Sequence, residues 1–354
     1  MYDKLNEKML LRIKNFNYGG RCKFLKTLGD IGERKAIELI LEKLEKMPRM
    51  PIPFGDDVSA YPINRNQFFI LKTDMLVGET DIPKGMSLWQ AARKAVVMNS
   101  SDFAAKGVKP LVALVSLGMP RNMTQKELEE IGDGLNAGAR EYETYIVGGD
   151  TNEASDLIIS LSLFGIAKKD DLMLRSGAKP NDIVAITGLF GKTSAGLRIL
   201  LEGFNAPKDI HSSLVEAVFM PKARLKEGLA LSHTKAVTSA IDSSDGLAWS
   251  LHEISKASNI GFVIESLPIA PEAQKFAEIN GLDPFELAFY GGEEYELVLT
   301  VNSKFWEKAE KAVKNVGGNL IRIGRVTAEK NILFKSEAEK RVIEPKGWEH
   351  FRRH

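Results

Sequence analysis

The sequence predicts an α/β protein with two domains, and three observations lead to this prediction. Apolar runs of strand length alternate along the chain with segments whose apolar residues recur at helical spacing. The chain has 354 residues, which is more than one domain usually contains. A polar stretch between residues 168 and 180 carries the turn residues Gly177 and Pro180 and separates two halves of similar pattern. We therefore expect an N-terminal extension, an N-terminal domain and a C-terminal domain at residues 1–28, 29–170 and 171–354.

The first half contains the predicted elements of the N-terminal domain. Thr124 and Glu127 form a capping-box pattern that starts a helix running to about Tyr142, and Ser87 caps another helix. A helix predicted at residues 32–47 places four apolar residues on one face, namely Ile37, Ile40, Leu41 and Leu44. The predicted helices are residues 32–47, 87–105 and 124–142, and the predicted strands are residues 68–74, 111–117, 144–150 and 157–167.

The second half repeats the alternation of strands and helices. The predicted strands are residues 182–187, 236–242, 261–266, 295–301 and 319–326. The predicted helices start at Thr193, at Leu247, near residue 271 and at Lys304, and Pro221 is expected at a helix start.

Composition and charge exclude several classes of function. The 44% hydrophobic and 27% charged residues are typical of a folded globular protein. The 48 basic residues balance 47 acidic ones, which argues against a nucleic-acid partner. One cysteine, Cys22, excludes an internal disulfide and a multi-cysteine metal site within one chain. The longest apolar run, residues 111–119, is too short to cross a membrane, and residues 1–16 lack a signal-peptide core, so we expect a cytoplasmic protein.

Acidic residues at the ends of apolar runs are the most informative feature of the chain. A carboxylate just past a strand lies at the edge where α/β folds bind ligands, and neighbouring glycines let backbone N–H groups hold phosphate oxygens. Clustered carboxylates need cations, and oxygen ligands without His or Cys favour Mg²⁺. Because Mg²⁺ typically arrives with substrate phosphates, this pattern predicts phosphoryl transfer with several metal ions. The acids are Asp56, Asp57, Asp74, Asp102, Asp150, Asp242, Asp245, Glu293 and Glu294.

For any single acid, a solvated cap or turn is an equally good interpretation, and only the recurrence of such acids favours a site.

Two other motifs resemble known sites but lack necessary residues, and one cysteine is a further candidate. Residues 191–193 (Gly-Lys-Thr) are not a P-loop, because Ile186 stands where its first glycine is needed. His252 begins a zinc-protease pattern whose second histidine is absent. Cys22 is a candidate nucleophile, but a lone cysteine near a terminus is usually incidental.

Together, the motifs resemble the thiamine-monophosphate kinase family, with an opening similar to archaeal members. They occur in that family's order and cover residues 29–351: GDIGERKAIELI, GDD, KTDMLV, NSSDFAAKGVKP, VGGDT, LRSGAKPND, IDSSDGL, GGEEYEL and GWEHF. The resemblance implies an aminoimidazole ribonucleotide synthetase-like fold, whose N-terminal sheet domain forms a homodimer and whose C-terminal α/β domain lies beside it. It also implies direct transfer of the ATP γ-phosphoryl group to thiamine monophosphate, giving thiamine diphosphate and ADP with several Mg²⁺ ions.

The resemblance further implies roles for individual residues. The implied metal ligands are Asp57, Thr73, Asp74, Asp102, Asp150, Asp242 and Asp245. The implied ATP contacts are Gly149, Asp150, Arg175 and Ser244, and the acids closest to the chemistry are Asp57, Asp150 and Asp245. The implied contacts of the thiamine substrate are Glu293 and Trp348, with Asp81 standing about where the family often has a histidine.

Two departures from the family pattern leave alternatives open. Lys72 precedes the Thr-Asp motif where many members have serine, and Asp81 replaces the expected histidine. One alternative is another ATP-dependent synthetase. The chain lacks the Gly-Val-Gly-Thr-Lys string of the aminoimidazole ribonucleotide type, whereas Cys22 leaves the selenophosphate type open. A second alternative is a nucleotide-binding regulator that has lost turnover. Intact acids at the metal positions argue against it, because such charges are costly to keep without cations.

Overall fold

The computed structural model describes residues 26–337 and 339–351, and these form parts of two compact units. Cys22 and most of the predicted extension at residues 1–28 lie outside the described residues. The described residues of the smaller unit are 26–45 and 349–351, and those of the larger unit lie within Lys46–Trp348. The larger unit contains two sheets with helices, so the predicted α/β class is confirmed.

The described part of the smaller unit contains helix α1 (Leu28–Leu41). A capping box between Thr27 and Asp30 starts it, and it kinks at Gly32, where φ is 75°. The predicted bounds of 32–47 were therefore wrong at both ends. The helix ends at Leu41 with Glu42 as its C-cap, so Leu44 lies beyond the helical face predicted for it.

A five-stranded sheet forms the first half of the larger unit, in the order β1-β2-β5-β3-β4. Only the β3–β4 pair is parallel. Its strands are β1 (Ser59–Pro62), β2 (Gln67–Val77), β3 (Pro110–Met119), β4 (Tyr145–Glu153) and β5 (Ile158–Lys168). The helices of this half are α2 (Gly78–Asp81), α3 (Leu88–Lys106) and α4 (Gln125–Glu141).

Helix α3 is the central helix of the larger unit, because it contacts β2 and β5 of the first sheet and a strand of the second. A capping box at Ser87 starts α3, and another at Thr124 starts α4, so both predicted caps are confirmed. Helix α3 is buried along nearly all its length, including its polar residues Arg93, Lys94 and Asp102. A helix with so little solvent exposure has to pair its charges inside the protein.

A seven-stranded sheet forms the second half, in the order β12-β11-β8-β10-β6-β9-β7. Its strands are β6 (Ile183–Ile186), β7 (Val237–Asp242), β8 (Gly261–Ile264), β9 (Leu297–Val301), β10 (Ile321–Thr327), β11 (Ile332–Lys335) and β12 (Lys340–Val342). Its helices are α5 (Lys192–Glu202), α6 (Lys208–Phe219), α7 (Leu225–Ser232), α8 (Leu247–Ser258), α9 (Pro271–Asn280), α10 (Pro284–Tyr290) and α11 (Trp306–Asn315).

The second half differs from the sequence prediction in several places, and its elements α6, α7, α10, β11 and β12 were not predicted. Pro221 does not start a helix, since it lies between the end of α6 and the start of α7, where its carbonyl accepts a hydrogen bond from Arg93. Strand β9 begins at Leu297 rather than residue 295, because Tyr295 has a positive φ of 53° that a strand cannot contain. A short 3₁₀ turn, Ser303–Phe305, precedes α11. Among the described residues, no helix combines the length and apolar character needed to cross a membrane.

Candidate active site

Three buried carboxylates from distant parts of the chain meet in the larger unit. Asp57 lies in the loop before β1, Asp102 on α3, and Asp242 at the end of β7. One oxygen of each lies within 4.8 Å of the others, and all three side chains are buried. The burial of α3 against both sheets brings Asp102 to the end of β7. The structure therefore unites three of the predicted metal ligands, which we call the carboxylate cluster.

Three cations border the carboxylate cluster. The ammonium of Lys106 lies 2.7 Å from a carboxylate oxygen of Asp56 and 2.7 Å from one of Asp57. Arg175 donates from Nε to Asp57 at 2.8 Å and from Nη1 to the carbonyl of Gly55 at 2.8 Å. Asp56 and Asp57 are therefore each paired with a cationic side chain of the protein.

Lys72 supplies the third cation and links a fourth predicted ligand to the cluster. Its Nζ lies 3.1 Å from Asp74 Oδ1 and 3.0 Å from Asp102 Oδ2. Lys72 and Asp74 share one face of β2, because alternate residues of a strand point to the same side. Ser101, the neighbour of Asp102 on α3, donates its hydroxyl to Asp242 at 2.7 Å.

The buried environment shifts the pKa values of these groups in different directions. Burial raises the pKa of Asp242 to about 6, with the charge of Asp57 adding to the effect. Burial also raises the pKa of Asp102 well above its usual value, against the pull of Lys72. Burial acts in the same sense on Asp57, but Arg175 and Lys106 outweigh it and hold its pKa below the usual range. Neighbouring cations therefore offset the effect of burial at Asp57, but they do not offset it at Asp102 or Asp242.

The three predicted substrate contacts lie together on another side of α3. Lys94, which is only 1% exposed, places its Nζ 2.5 Å from Glu293 Oε1 and 3.1 Å from the carbonyl oxygen of Asp81. The carboxylate of Asp81 accepts the N–H of Val77 at 2.7 Å. A Cβ placed on Gly292, next to Glu293, would lie 3.3 Å from Trp348 Cβ.

Two loops and the C-terminal segment connect this group to Ser244 and Asp245. The N–H of Trp348 donates to the carbonyl of Asp245 at 3.0 Å, and the N–H of Glu293 donates to the carbonyl of Ser244 at 2.6 Å. Ser244 and Asp245 of the IDSSDGL motif therefore meet Glu293 of the GGEEYEL motif and Trp348 of the GWEHF motif.

Adjacent acids of the GGEEYEL motif face different surroundings. Glu293 has a φ of 65°, a left-handed conformation that is unusual for a residue with a side chain and typical of functional sites. Glu294 instead accepts the N–H groups of Gly191 at 2.5 Å and Thr193 at 3.3 Å, at the start of α5. Burial raises the pKa of Glu294 to about 7. The N-terminus of α5, where the incomplete P-loop motif lies, thus already holds an anion of the protein itself.

Of the predicted metal ligands and ATP contacts, Ser244 and Asp245 lie with Glu293 and Trp348 rather than in the carboxylate cluster, and three others lie on the first sheet. Thr73 points to the exposed face of the first sheet, opposite Asp74, and its hydroxyl donates to the carbonyl of Leu161 at 3.2 Å. Gly149 and Asp150 lie on the exposed edge strand β4, with Asp150 opposite Ser116. A Cβ on Gly149 would lie 1.8 Å from the carbonyl of Val115, so only glycine fits there.

Sequence reasoning missed the buried lysines Lys94 and Lys106. Both lie on α3, one helical turn or more from the Asn-Ser-Ser-Asp motif, and both are fully buried. A signal for them existed, since a charged residue inside an otherwise apolar helical run has to find an opposite charge. The partners could not be identified because they are remote in sequence, with Glu293 lying 199 residues from Lys94.

Both halves of the chain match domain models of a known protein family. The N-terminal domain model of AIR synthase related proteins matches residues 55–167, and the C-terminal domain model matches residues 179–335. Both halves of the predicted superfamily fold are therefore present.

Curated relatives and a solved structure give a narrower match. Thiamine-monophosphate kinase of Nitrosopumilus maritimus is 38% identical over 84% of this chain and 93% of its own. Thiamine-monophosphate kinase of Pyrococcus horikoshii is 36% identical over 90% of this chain and 96% of its own. The solved structure of AaThiL complexed with AMPPCP and TMP is 27% identical, covers 93% of this chain and 100% of its own, and superposes with a TM-score of 0.80. The resemblance expected from the motifs is confirmed, and the chain belongs to the thiamine-monophosphate kinase family.

Proposed function

We propose that the chain transfers the γ-phosphoryl group of ATP to thiamine monophosphate, releasing thiamine diphosphate and ADP. The observation that carries this proposal is the meeting of Glu293, Trp348 and Asp245 at one site in a chain of this family. The related AaThiL structure contains AMPPCP and TMP. Two relatives that match this chain over most of their length are thiamine-monophosphate kinases. Neither a different synthetase activity nor a regulator without turnover is therefore favoured.

The reaction needs no nucleophile from the protein. A terminal phosphate oxygen of thiamine monophosphate attacks the γ-phosphorus, the bond from that phosphorus to the bridging oxygen breaks, and ADP leaves with the electron pair. The protein has to hold two polyanions in line and offset their repulsion. Arg175 is suited to a phosphate because its planar guanidinium is already oriented by Asp57 and Gly55.

The carboxylate cluster fits magnesium. Its donors are carboxylate oxygens from Asp57, Asp102 and Asp242, with neither histidine nor cysteine among them, and hard oxygen donors favour Mg²⁺. We propose that these residues, with Asp74 and Asp245, hold Mg²⁺. Bound Mg²⁺ would neutralise phosphate charge in the transition state. Roles for Thr73, Gly149, Asp150 and Ser244 in this site stay predictions from the family resemblance.

The thiamine end of the substrate is assigned to the group around Lys94. The carboxylate of Glu293 can balance the positive thiazolium ring, and Trp348, 39% exposed, can stack on a ring of the substrate. Lys94 holds Glu293 in place from within α3. We propose that Asp81 acts here by position, because its carboxylate caps the N–H of Val77 and its carbonyl orients Lys94.

We also propose a homodimer formed through the first sheet. Helix α3 contacts one face of this sheet, whereas the opposite face carries exposed large apolar residues. Exposed apolar surface of this extent is typical of a protein interface. The residues are Met75, Leu111, Leu114, Tyr145, Val147 and Ile166.

A domain boundary near residues 168–180 is supported by the end of β5 at Lys168 and the start of β6 at Ile183. A cytoplasmic location stays a prediction.

A ³¹P NMR assay tests the reaction directly. Purified protein with Mg-ATP and thiamine monophosphate should produce the resonances of thiamine diphosphate and ADP, and EDTA should abolish them. ADP with inorganic phosphate and no thiamine diphosphate would contradict the proposal. Binding of ATP without any turnover would instead favour the regulator.

A further inference from the structure

Lys72 lies within hydrogen-bonding distance of two predicted metal ligands. Its Nζ is 3.1 Å from Asp74 Oδ1 and 3.0 Å from Asp102 Oδ2, and its side chain is only 20% exposed. Strand alternation directs Lys72 and Asp74 to the same inner face of β2, while Thr73 faces outward. The position of the ammonium is therefore set by the strand and by α3 together.

We propose that Lys72 is a resident cation of the metal site, and that its ammonium takes the place of one divalent ion between Asp74 and Asp102. This inference rests on the proposed function, because it assumes that the carboxylate cluster binds metal. It predicts that the chain binds one divalent ion fewer than a variant in which the lysine charge is removed.

The balance of charge supports this proposal. Asp74 and Asp102 carry two formal negative charges and share the single positive charge of Lys72. Without Lys72 both negative charges remain, which equals the charge of one divalent ion.

The geometry supports it as well. An ammonium about 3 Å from two carboxylates occupies a place where a divalent ion would bind both at about 2.0–2.1 Å. Two cations cannot share the same oxygen of Asp102 without strong mutual repulsion, because the site is mostly buried and poorly screened. The lysine and a divalent ion between Asp74 and Asp102 therefore exclude each other.

Counting bound Mn²⁺ tests the proposal. The full chain is titrated with Mn²⁺ in the presence of β,γ-methylene ATP, and free Mn²⁺ is measured by its EPR signal. We expect Lys72→Met and Lys72→Ser to bind one more Mn²⁺ per chain than the unmodified protein. Lys72→Arg, which keeps the charge, should bind the unmodified number. Lys192→Met, a charge-matched control whose lysine pairs with Glu272 away from the cluster, should also leave the number unchanged.

A second measurement covers a variant that is unstable without metal. In EDTA the thermal midpoint of Lys72→Met should fall below that of the unmodified protein, and Mn²⁺ should restore it more than it raises the unmodified midpoint. An equal or smaller number of Mn²⁺ ions in Lys72→Met would overturn the proposal, as would a change confined to the KM for ATP. If Lys72→Met binds no additional Mn²⁺ while the unmodified protein makes thiamine diphosphate and binds Mn²⁺, only the role of Lys72 fails. If it binds no Mn²⁺, the proposed metal site fails with it.

Discussion

Replacing Lys94 with methionine tests whether this buried lysine holds Glu293 in the substrate site. The change removes an ion pair of 2.5 Å and a hydrogen bond of 3.1 Å to the carbonyl of Asp81, while keeping a side chain of similar length. Breaking a buried ion pair by removing one partner costs about 3–5 kcal/mol. Water reaches the Glu293 side chain, which is 25% exposed, so we expect a smaller loss of about 1–3 kcal/mol in unfolding free energy.

The kinetic effect should be selective for one substrate. Because Glu293 is assigned to the thiamine end, Lys94→Met should lower kcat/KM for thiamine monophosphate by roughly 10- to 100-fold, whereas the KM for ATP should change by less than about threefold. Steady-state kinetics with each substrate varied in turn measures both values. Denaturant unfolding followed by circular dichroism measures the stability.

A double-mutant cycle separates the ion pair from general damage. Adding Glu293→Gln to Lys94→Met should recover part of the lost stability, because a neutral amide needs no buried counter-charge. Lys109→Met is the control, since Lys109 pairs with Glu143 at the exposed surface and its loss should leave the stability almost unchanged. Additive stability losses in the cycle, or an equal fall in kcat/KM for both substrates, would refute this reasoning.

Four further predictions concern other parts of the molecule. Glu294→Gln should remove a pH dependence of stability, because a carboxyl whose pKa rises to about 7 on folding makes the folded state progressively less stable from about pH 4.5 to 7, by about 3 kcal/mol in total; unfolding at several pH values measures this loss. Asp242→Asn should lower kcat at least 100-fold while circular dichroism stays unchanged, and turnover near the unmodified rate would remove Asp242 from the metal site. Trp348→Ala should raise the KM for thiamine monophosphate more than that for ATP, and equal effects would argue against stacking. Val147→Asp should turn a dimer into monomers in sedimentation experiments, and an unchanged dimer would exclude this face as the interface.

The fold class and the helices with clear capping boxes could be predicted because their signals are local, whereas α2, α6, α7 and α10 were not predicted. The capping boxes at Ser87 and Thr124 and the alternation of strand and helix patterns need only neighbouring residues. Pro221 shows the limit of such rules, because a proline suits both a helix start and the loop between two helices. The bounds of α1 were wrong for a related reason, since the kink at Gly32 joins two helical segments that the apolar periodicity treats separately.

The acids of the site were also predicted from the sequence, because short polar motifs at the ends of strands are visible in it. Their partners were not. Lys72, Lys94 and Lys106 meet acids that lie up to 199 residues away, and no local pattern specifies which buried surfaces will face each other.

The sequence by itself determined the two-sheet α/β class, the family and the set of candidate acids. Only the tertiary structure decided which acids share a cation. It separates Glu293 from Glu294, whose carboxylates face Lys94 and the start of α5, because a left-handed residue turns the chain between them. It also places Lys72 among the acids. The physical reason is that a buried charge takes its partner from whatever element packs against it, and that packing is a property of the whole chain.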